Sequence, residues 1–364
     1  MHSIPASFPD RDQASSIFSQ HNGLATRRVL VTGGAGFLGS AVVRQLCRAG
    51  AVVTVLDNFS SGRREYLQNV KATDAPKIVV GDICDPETVE ESLVDVQLVI
   101  HLAALPFVPD SYFHHKDFFR TNVDGTINML LAASKSKSVE RFIYISSSEV
   151  YGSANRDRMD ETHPTLPHSS YATSKLAADR VTFTMSKELG LPAVIVRPFN
   201  CYGPNITQPY IVPEIIAQAG NGNTEVSLGN TEACRDLTYV DDTARGIVSS
   251  AVNPKAIGEV INLGSGSAIS VRELALRIAS LMGKRIEIKI DPSRLRPYDV
   301  EKLICDNSKA MKILGWKPAT TLDDGLRLTI DWVNNNSVHF QSPFSNWYRE
   351  NKITPLQHAN SVKK

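Results

Sequence analysis

Cysteine is scarce and never paired in this sequence. Of 364 residues only five are cysteines (Cys47, Cys84, Cys201, Cys234 and Cys305), with no CxxC pair and no His/Cys cluster at zinc-ligand spacing. That excludes a disulfide-stapled scaffold and a structural zinc site, no metal is expected, and the thiols read as free in a reducing cytoplasm. Cys201 and Cys234 are expected to serve as small buried hydrophobes. An excess of charge of either sign is missing as well. The 39 basic and 38 acidic side chains leave a formal charge of +1, so no field gathers nucleic acid or an anionic membrane surface. No apolar run reaches the length that spans a bilayer, and the opening MHSIPASFPDRDQASS lacks the apolar core of a signal peptide. The expectation is a soluble, cytoplasmic protein.

What the chain does have is enough apolar residue, 42%, to bury a sizeable core. From Arg28 onward it alternates β-branched runs with helical stretches. RVLVT, a helix over Phe37–Ala49, AVVTVL, KIVV, a helix near Glu87–Leu93, QLVIHL, a helix around Phe118–Ser134, RFIYI, a helix over Tyr171–Glu188 and AVIVR follow one another. Such a rhythm predicts an α/β fold, a doubly wound Rossmann-type parallel sheet covered on both faces. After Asn200 the rhythm breaks into turn-rich segments and short elements, including SVRE, where Ser270 and Glu273 have capping-box spacing. The expected division is a dinucleotide-binding domain over 27–200, to which some later segments return, and a smaller interleaved α/β substrate lobe over 201–340. Residues 1–26 and 341–364 are expected to be tails without assigned structure.

Between the first strand and first helix stands VTGGAGFLGS, with Gly33, Gly34, Gly36 and Gly39. Glycines there permit a tight turn and close backbone approach to a pyrophosphate, whose charge meets the helix N-terminus. The second strand ends at Asp57, about twenty residues beyond the glycines, where a carboxylate can accept both hydroxyls of an adenosine ribose and repel a 2'-phosphate. NAD is therefore expected rather than NADP, although DNFSSG is also good turn sequence. Asp82 and Ile83, after the third strand, could hold the adenine edge, or Asp82 could simply cap the next helix.

The run YATSK sets Tyr171 and Lys175 one helical turn apart on one face. An ammonium beside a phenol favours the phenolate and brings tyrosine into range as a base. Earlier, ISSSEVYG places a carboxylate, Glu149, among small hydroxyls at the mouth of an apolar strand. From residue type alone it is either a functional acid or base or a hydrogen-bonded strand-end carboxylate. Ser146 and Ser148 could each bond backbone there.

Taken together, TGGAGFLG, HLAA, SSSEVYG, YATSK, RPFNCYGP and RDLTYVDD resemble the extended short-chain dehydrogenase/reductase family, over roughly Arg28–Asn335. The resemblance implies an enzyme acting on a nucleoside-diphosphate sugar with NAD. By it, Ser147, Tyr171 and Lys175 are the catalytic hydroxyl, base and helper, and Lys175 also holds the nicotinamide ribose. Asn122 supports the lysine, and Ala103 and Pro198 line the cofactor, as do Phe37 and Leu38 of the glycine loop. Asn200, Arg235 and Arg296 grip the diphosphate, as suits guanidinium forks, with Ser148 on the substrate side and Arg294 an unassigned basic neighbour.

In the nucleotide-sugar 4,6-dehydratases of this family a glutamate occupies the position of Glu149. A transient 4-keto group acidifies the C5 proton, and the carboxylate removes it as water leaves C6. The expected activity is thus an NAD-dependent 4,6-dehydratase on a UDP- or dTDP-hexose. The alternatives are a 4-epimerase, a UDP-glucuronate decarboxylase and, in another class, a non-catalytic NAD-binding regulator. Two departures stand out: Ser148 replaces the aspartate acid of the dTDP-glucose dehydratases, and NITQPY (205–210) lacks the arginine common after YGP. Relatives pair two helices per subunit into a homodimer, here those around Phe118–Ser134 and Tyr171–Glu188; the apolar Leu176, Val181 and Phe183 suit either such a seam or burial within one chain.

Overall fold

The computed structural model describes residues 23–68, 75–220, 224–296 and 298–336. The tail expected at 341–364 lies outside them, as does 1–22. Residues 23–26 are structured, contrary to expectation: Leu24 is fully buried and Thr26 N–H donates to the Gly50 carbonyl at 2.8 Å.

In chain order the strands are β1 (Arg28–Thr32), β2 (Val52–Asp57), β3 (Lys77–Val80), β4 (Leu98–His101), β5 (Arg141–Ile145), β6 (Ala193–Pro198), β7 (Asn200–Tyr202), β8 (Glu225–Leu228), β9 (Cys234–Tyr239), β10 (Val260–Leu263), β11 (Ala268–Ser270), β12 (Glu287–Ile290) and β13 (Lys302–Leu303). The principal sheet runs β10-β6-β5-β4-β1-β2-β3 with every neighbour parallel. Its central strands are buried on both faces, which is why they read as unbroken apolar runs. The strand order reverses direction between β1 and β4, so a crevice opens beyond the carboxyl ends of those strands.

The helices are α1 (Phe37–Arg48), α2 (Pro86–Ser92), α3 (His115–Phe119), α4 (Gly125–Lys135), α5 (Ser170–Glu188), α6 (Ile211–Gly220), α7 (Val240–Val252), α8 (Val271–Leu281), α9 (Ser308–Leu314) and α10 (Leu322–Asn335). A π-helical turn, Arg120–Asp124, joins α3 to α4. Helix α1 buries Ala41, Val42, Val43, Leu46 and Cys47, each larger side chain worth roughly 1.5–3 kcal/mol. It stops at Gly50, whose φ of +79° lets the chain turn back, with Gly50 N–H on the Cys47 carbonyl. The capping box at α8 is present in both directions, Ser270 to Glu273 and back. Helix α2 is capped by Asp85, whose carboxylate accepts from Glu87 N–H, not by Asp82.

In the smaller lobe β9 pairs with β7, β11 and β13, and β8 pairs with β12. Two late elements return to the first lobe: β10 extends the principal sheet beside β6, and α7 packs on α1. No helix among the described residues is long and apolar enough to cross a membrane.

Candidate active site

A cleft of about 450 Å³ lies between the lobes. Its first wall is the turn from β1 into α1. Gly33 has φ +67°, and a Cβ there would fall 2.8 Å from the Ala103 backbone. At Gly39 a Cβ would come within 2.0 Å of the Gly33 carbonyl. Only hydrogen fits at either position. Helix α1 begins with no side-chain cap and no acidic residue in its first turn, so its leading N–H groups remain open to an anion. Gly33, Gly36, Phe37, Leu38 and Gly39 all line the cleft, whereas Gly34 packs toward Val55 of β2.

Asp57, at the end of β2, is 7% exposed and lines the same wall. Its carboxylate oxygens accept from Ala35 and Phe59 N–H, each at 2.9 Å; burial raises its pKa, and these two bonds oppose the rise. Each oxygen keeps a lone pair for a ribose hydroxyl. Asp82 lines the wall beside Ile83, tied to Cys84 N–H at 2.8 Å and the Asn58 amide at 3.1 Å. Ala103 and Pro198 complete this half. The residues present therefore fit an adenine dinucleotide: a cradle without side chains, an uncapped helix start and a carboxylate at the strand end.

The second half is reactive. The Ser169 hydroxyl caps α5 by accepting from Ala172 N–H, and the helix presents Tyr171 and Lys175 to the cleft. Burial pushes Tyr171 up to about 12; a hydrogen bond with Ser147 works against that and the nearby Glu149 charge adds to it. Burial also lowers Lys175 to about 7, opposed by Asp179 one turn farther along. The Lys175 Nζ donates to the Ile145 carbonyl at 2.5 Å and lies 4.5 Å from the Tyr144 ring centre. Close by, His101 is fully buried between Thr32 and Thr126 hydroxyls at 2.7 and 3.0 Å. Burial first, then the Lys175 charge, bring it down to about 3, so it is neutral.

Past β5 the chain makes a 3-10 turn, Ser148–Tyr151, with Ser147 at its N-cap accepting from Glu149 N–H at 3.2 Å. This turn carries Ser147, Ser148 and Glu149 onto the cleft wall, Glu149 being 8% exposed. The Ser146 hydroxyl finds no partner among the described residues, so it does not bond backbone as the sequence suggested.

Asn122 is 1% exposed and is not among the residues that line the cleft, so it stands behind the cofactor wall rather than on it. Its amide bonds the Ser174 hydroxyl at 2.9 Å and brackets Leu105 through backbone N–H and carbonyl. It braces the neighbour of Lys175 and the β4–α3 loop.

Asn200, Arg235 and Arg296 all line the cleft. The buried Oδ1 of Asn200 has no partner among the described residues, an acceptor that a ligand donor could satisfy. Arg235, 8% exposed, donates to the Cys234 carbonyl at 3.0 Å and faces Asp299 at 3.4 Å, and Arg296 lies 3.5 Å from the same carboxylate. Burial lowers the Arg235 pKa, and the Glu149 charge opposes this. Arg294 pairs with Glu214 at 2.8 Å. Asp299 and Glu214 escaped the sequence reading; Asp299 stands three residues after Arg296 in RLRPYDV, the one signal that could have found it. In NITQPY the cleft gains Tyr210, whose ring packs against Phe37 and Phe107 at 6.4 and 6.1 Å. Cys201 and Cys234 are half-buried rather than buried.

Residues 30–329 match the family model described as GDP-mannose 4,6 dehydratase. A dTDP-glucose 4,6-dehydratase of Neisseria meningitidis is 31% identical over 351 residues, covering 90% of this chain and 99% of that protein. Among solved structures, epimerase Mth375 of Methanothermobacter thermautotrophicus superposes with a TM-score of 0.83 at 30% identity, over 90% of this chain and 98% of that one. DesIV of Streptomyces venezuelae, a dTDP-glucose 4,6-dehydratase crystallised with NAD, does so with 0.79 at 31%, over 87% and 99%. With that sheet, that glycine turn and these matches, the chain belongs to the extended short-chain dehydrogenase/reductase family, in the branch of nucleotide-sugar dehydratases and epimerases.

Proposed function

We propose that the protein is an NAD-dependent nucleotide-sugar 4,6-dehydratase acting on a UDP- or dTDP-hexose. The observation that carries this reading is Glu149, a carboxylate on the cleft wall in the same short turn as Ser148 and electrostatically coupled to Tyr171. NAD, when bound along the glycine turn, supplies the acceptor of the hydride from the sugar and later its donor.

The chain's own residues do the proton work. Tyr171 takes the proton of the C4 hydroxyl as C4 becomes a ketone and passes its own phenolic proton on to Lys175, which burial leaves as a neutral amine above about pH 7. Ser147, bonded to the phenol, orients the same oxygen. With C4 a ketone the C5 proton is acidic, and Glu149 removes it. The released electron pair forms the C5–C6 double bond, and the C6 hydroxyl departs as water on receiving the proton that Glu149 took from C5. Glu149 then takes a fresh proton from solvent and gives it to C5 as C6 would receive the returned hydride. Arg235 and Arg296 present guanidinium groups for the diphosphate, and Asp299 between them keeps both arms directed.

A 4-epimerase is the second reading, favoured by Ser148 in place of an aspartate acid and by the likeness to epimerase Mth375. In it Glu149 would be a polar wall. Incubation with UDP-, dTDP-, GDP- and CDP-hexoses, with products identified by mass spectrometry, tests the proposal: a product lighter by one water supports it, and one of unchanged mass supports the epimerase. Release of carbon dioxide from a nucleotide-linked uronic acid would instead identify a decarboxylase.

The protein is further proposed to act in the cytoplasm as a homodimer. Phe119, Leu131 and Phe183 on α3, α4 and α5 are 39–41% exposed, an apolar face that a second copy would cover.

A further inference from the structure

Two elements deliver the reactive groups, and they are separate in sequence: α5 brings Tyr171 and Lys175, and the 3-10 turn after β5 brings Ser147 and Glu149. Behind the cleft a buried chain of polar groups runs from one to the other. On α5, Asp179 has no exposed surface. Its carboxylate accepts from Arg197 Nε at 2.8 Å and from a second Arg197 nitrogen at 3.1 Å, a two-pronged pairing, and from Arg180 Nε at 2.9 Å. The third arm of Arg197 donates to the Tyr151 hydroxyl at 2.9 Å. That hydroxyl in turn donates to Asn262 Oδ1 of β10 at 2.7 Å. Tyr151 is the last residue of the turn that holds Glu149. Arg197 itself is the residue before Pro198, at the cofactor wall.

We infer that Arg197 is a positioning residue: through Asp179 on one side and Tyr151 on the other it fixes the helix of the base relative to the turn of the carboxylate. Every donor nitrogen on Arg197 that these bonds use has a fixed direction, since the guanidinium is planar. A solvated ion pair would leave both elements free to shift, whereas here each end is dry: Arg197 is 3% exposed and Tyr151 not at all. Holding the two elements in register matters because, under the dehydratase reading on which this inference rests, one sugar ring must face Tyr171 at C4 and Glu149 at C5 within a single binding event. A shift of about 1 Å in such a geometry can cost on the order of a hundredfold in rate.

Tyr151→Phe cuts the strut at the turn while keeping the ring and leaving Asp179 and Arg197 paired. Amide hydrogen exchange in the ligand-free protein is the first readout. Exchange at Glu149–Gly152 is expected to quicken about tenfold while the first half of α5 stays as it was. That measurement involves no nucleotide sugar, so it decides the inference even if the wild-type protein never releases water, which would sink the dehydratase reading alone. The second readout separates steps: cofactor reduction by bound substrate should remain within about twofold of wild type, and loss of water should fall at least tenfold. Arg197→Lys, which cannot span both partners, should slow both steps at once. Unchanged exchange in the turn, or a uniform rise across the whole protein with both steps falling equally in Tyr151→Phe, would overturn the inference.

Discussion

The Lys175 ammonium nitrogen rests 2.5 Å from the carbonyl oxygen of Ile145, the last residue of β5. Both residues line the cleft, as does Tyr171. Around Lys175 stand the Tyr144 ring, neutral His101 and the Asp179 carboxylate. With Lys175 titrating near 7 and Tyr171 near 12, the pair carries two protons below about pH 7 and one above it. Only the singly protonated pair can act as a base.

The rate of cofactor reduction by bound substrate should therefore rise through about pH 7 as a single proton is lost. Asp179 raises the Lys175 value, so Asp179→Asn should move the midpoint to lower pH. Rapid-mixing absorbance of the reduced nicotinamide across pH measures it, and a midpoint moving upward would contradict the assignment. Lys175→Met should slow this step by about a thousandfold.

The glycine turn gives a sharper steric prediction. In Gly39→Ala the new methyl would sit on the Gly33 carbonyl, and the turn must open where a pyrophosphate would lie. Overpacking of this kind costs about 1–3 kcal/mol, so NAD affinity by calorimetry should drop about tenfold to a hundredfold. Unaltered affinity would mean that the dinucleotide does not approach this turn.

Among the residues proposed to grip the diphosphate, Arg235→Lys keeps the charge and removes the fork. A charge-assisted bond of about 1.5–3 kcal/mol is at stake, and KM for the nucleotide sugar should rise at least tenfold with kcat nearly unchanged. If kcat falls and KM holds, Arg235 acts on the reaction through its proximity to Glu149 and not on the diphosphate.

Much of this was legible because it is local. The glycine turn, the Asp57 position and the Tyr171–Lys175 spacing each lie within one βαβ unit or one helix, and the Ser270–Glu273 cap within four residues. What stayed hidden is what the fold joins at long range. Asp299 reaches Arg235 across 64 positions, and only because β9 is seated against β7, β11 and β13. The Asp179–Arg197–Tyr151 chain needs α5, β6 and the 3-10 turn to be packed together. Asn122, expected to support Lys175, bonds its neighbour Ser174 and also the Leu105 backbone, 17 positions away, a second partner that spacing does not reveal. Burial of Leu24 follows from the link to Gly50, and no pattern in its polar neighbourhood announces it.

The exposed face of α5 is also testable. Phe183→Glu places charge where a second copy is proposed to pack, and sedimentation should show the mass fall to that of one chain. A retained dimer would put its interface elsewhere.

The most direct test of the account is turnover in deuterium oxide, with the position of label in the product read by NMR. The account predicts deuterium at C5 of a 4-keto-6-deoxy sugar from the wild-type protein, and neither label nor loss of water from Glu149→Gln, which should still reduce its bound cofactor. A wild-type product carrying no label at C5, or a Glu149→Gln variant that dehydrates at the wild-type rate, would contradict it.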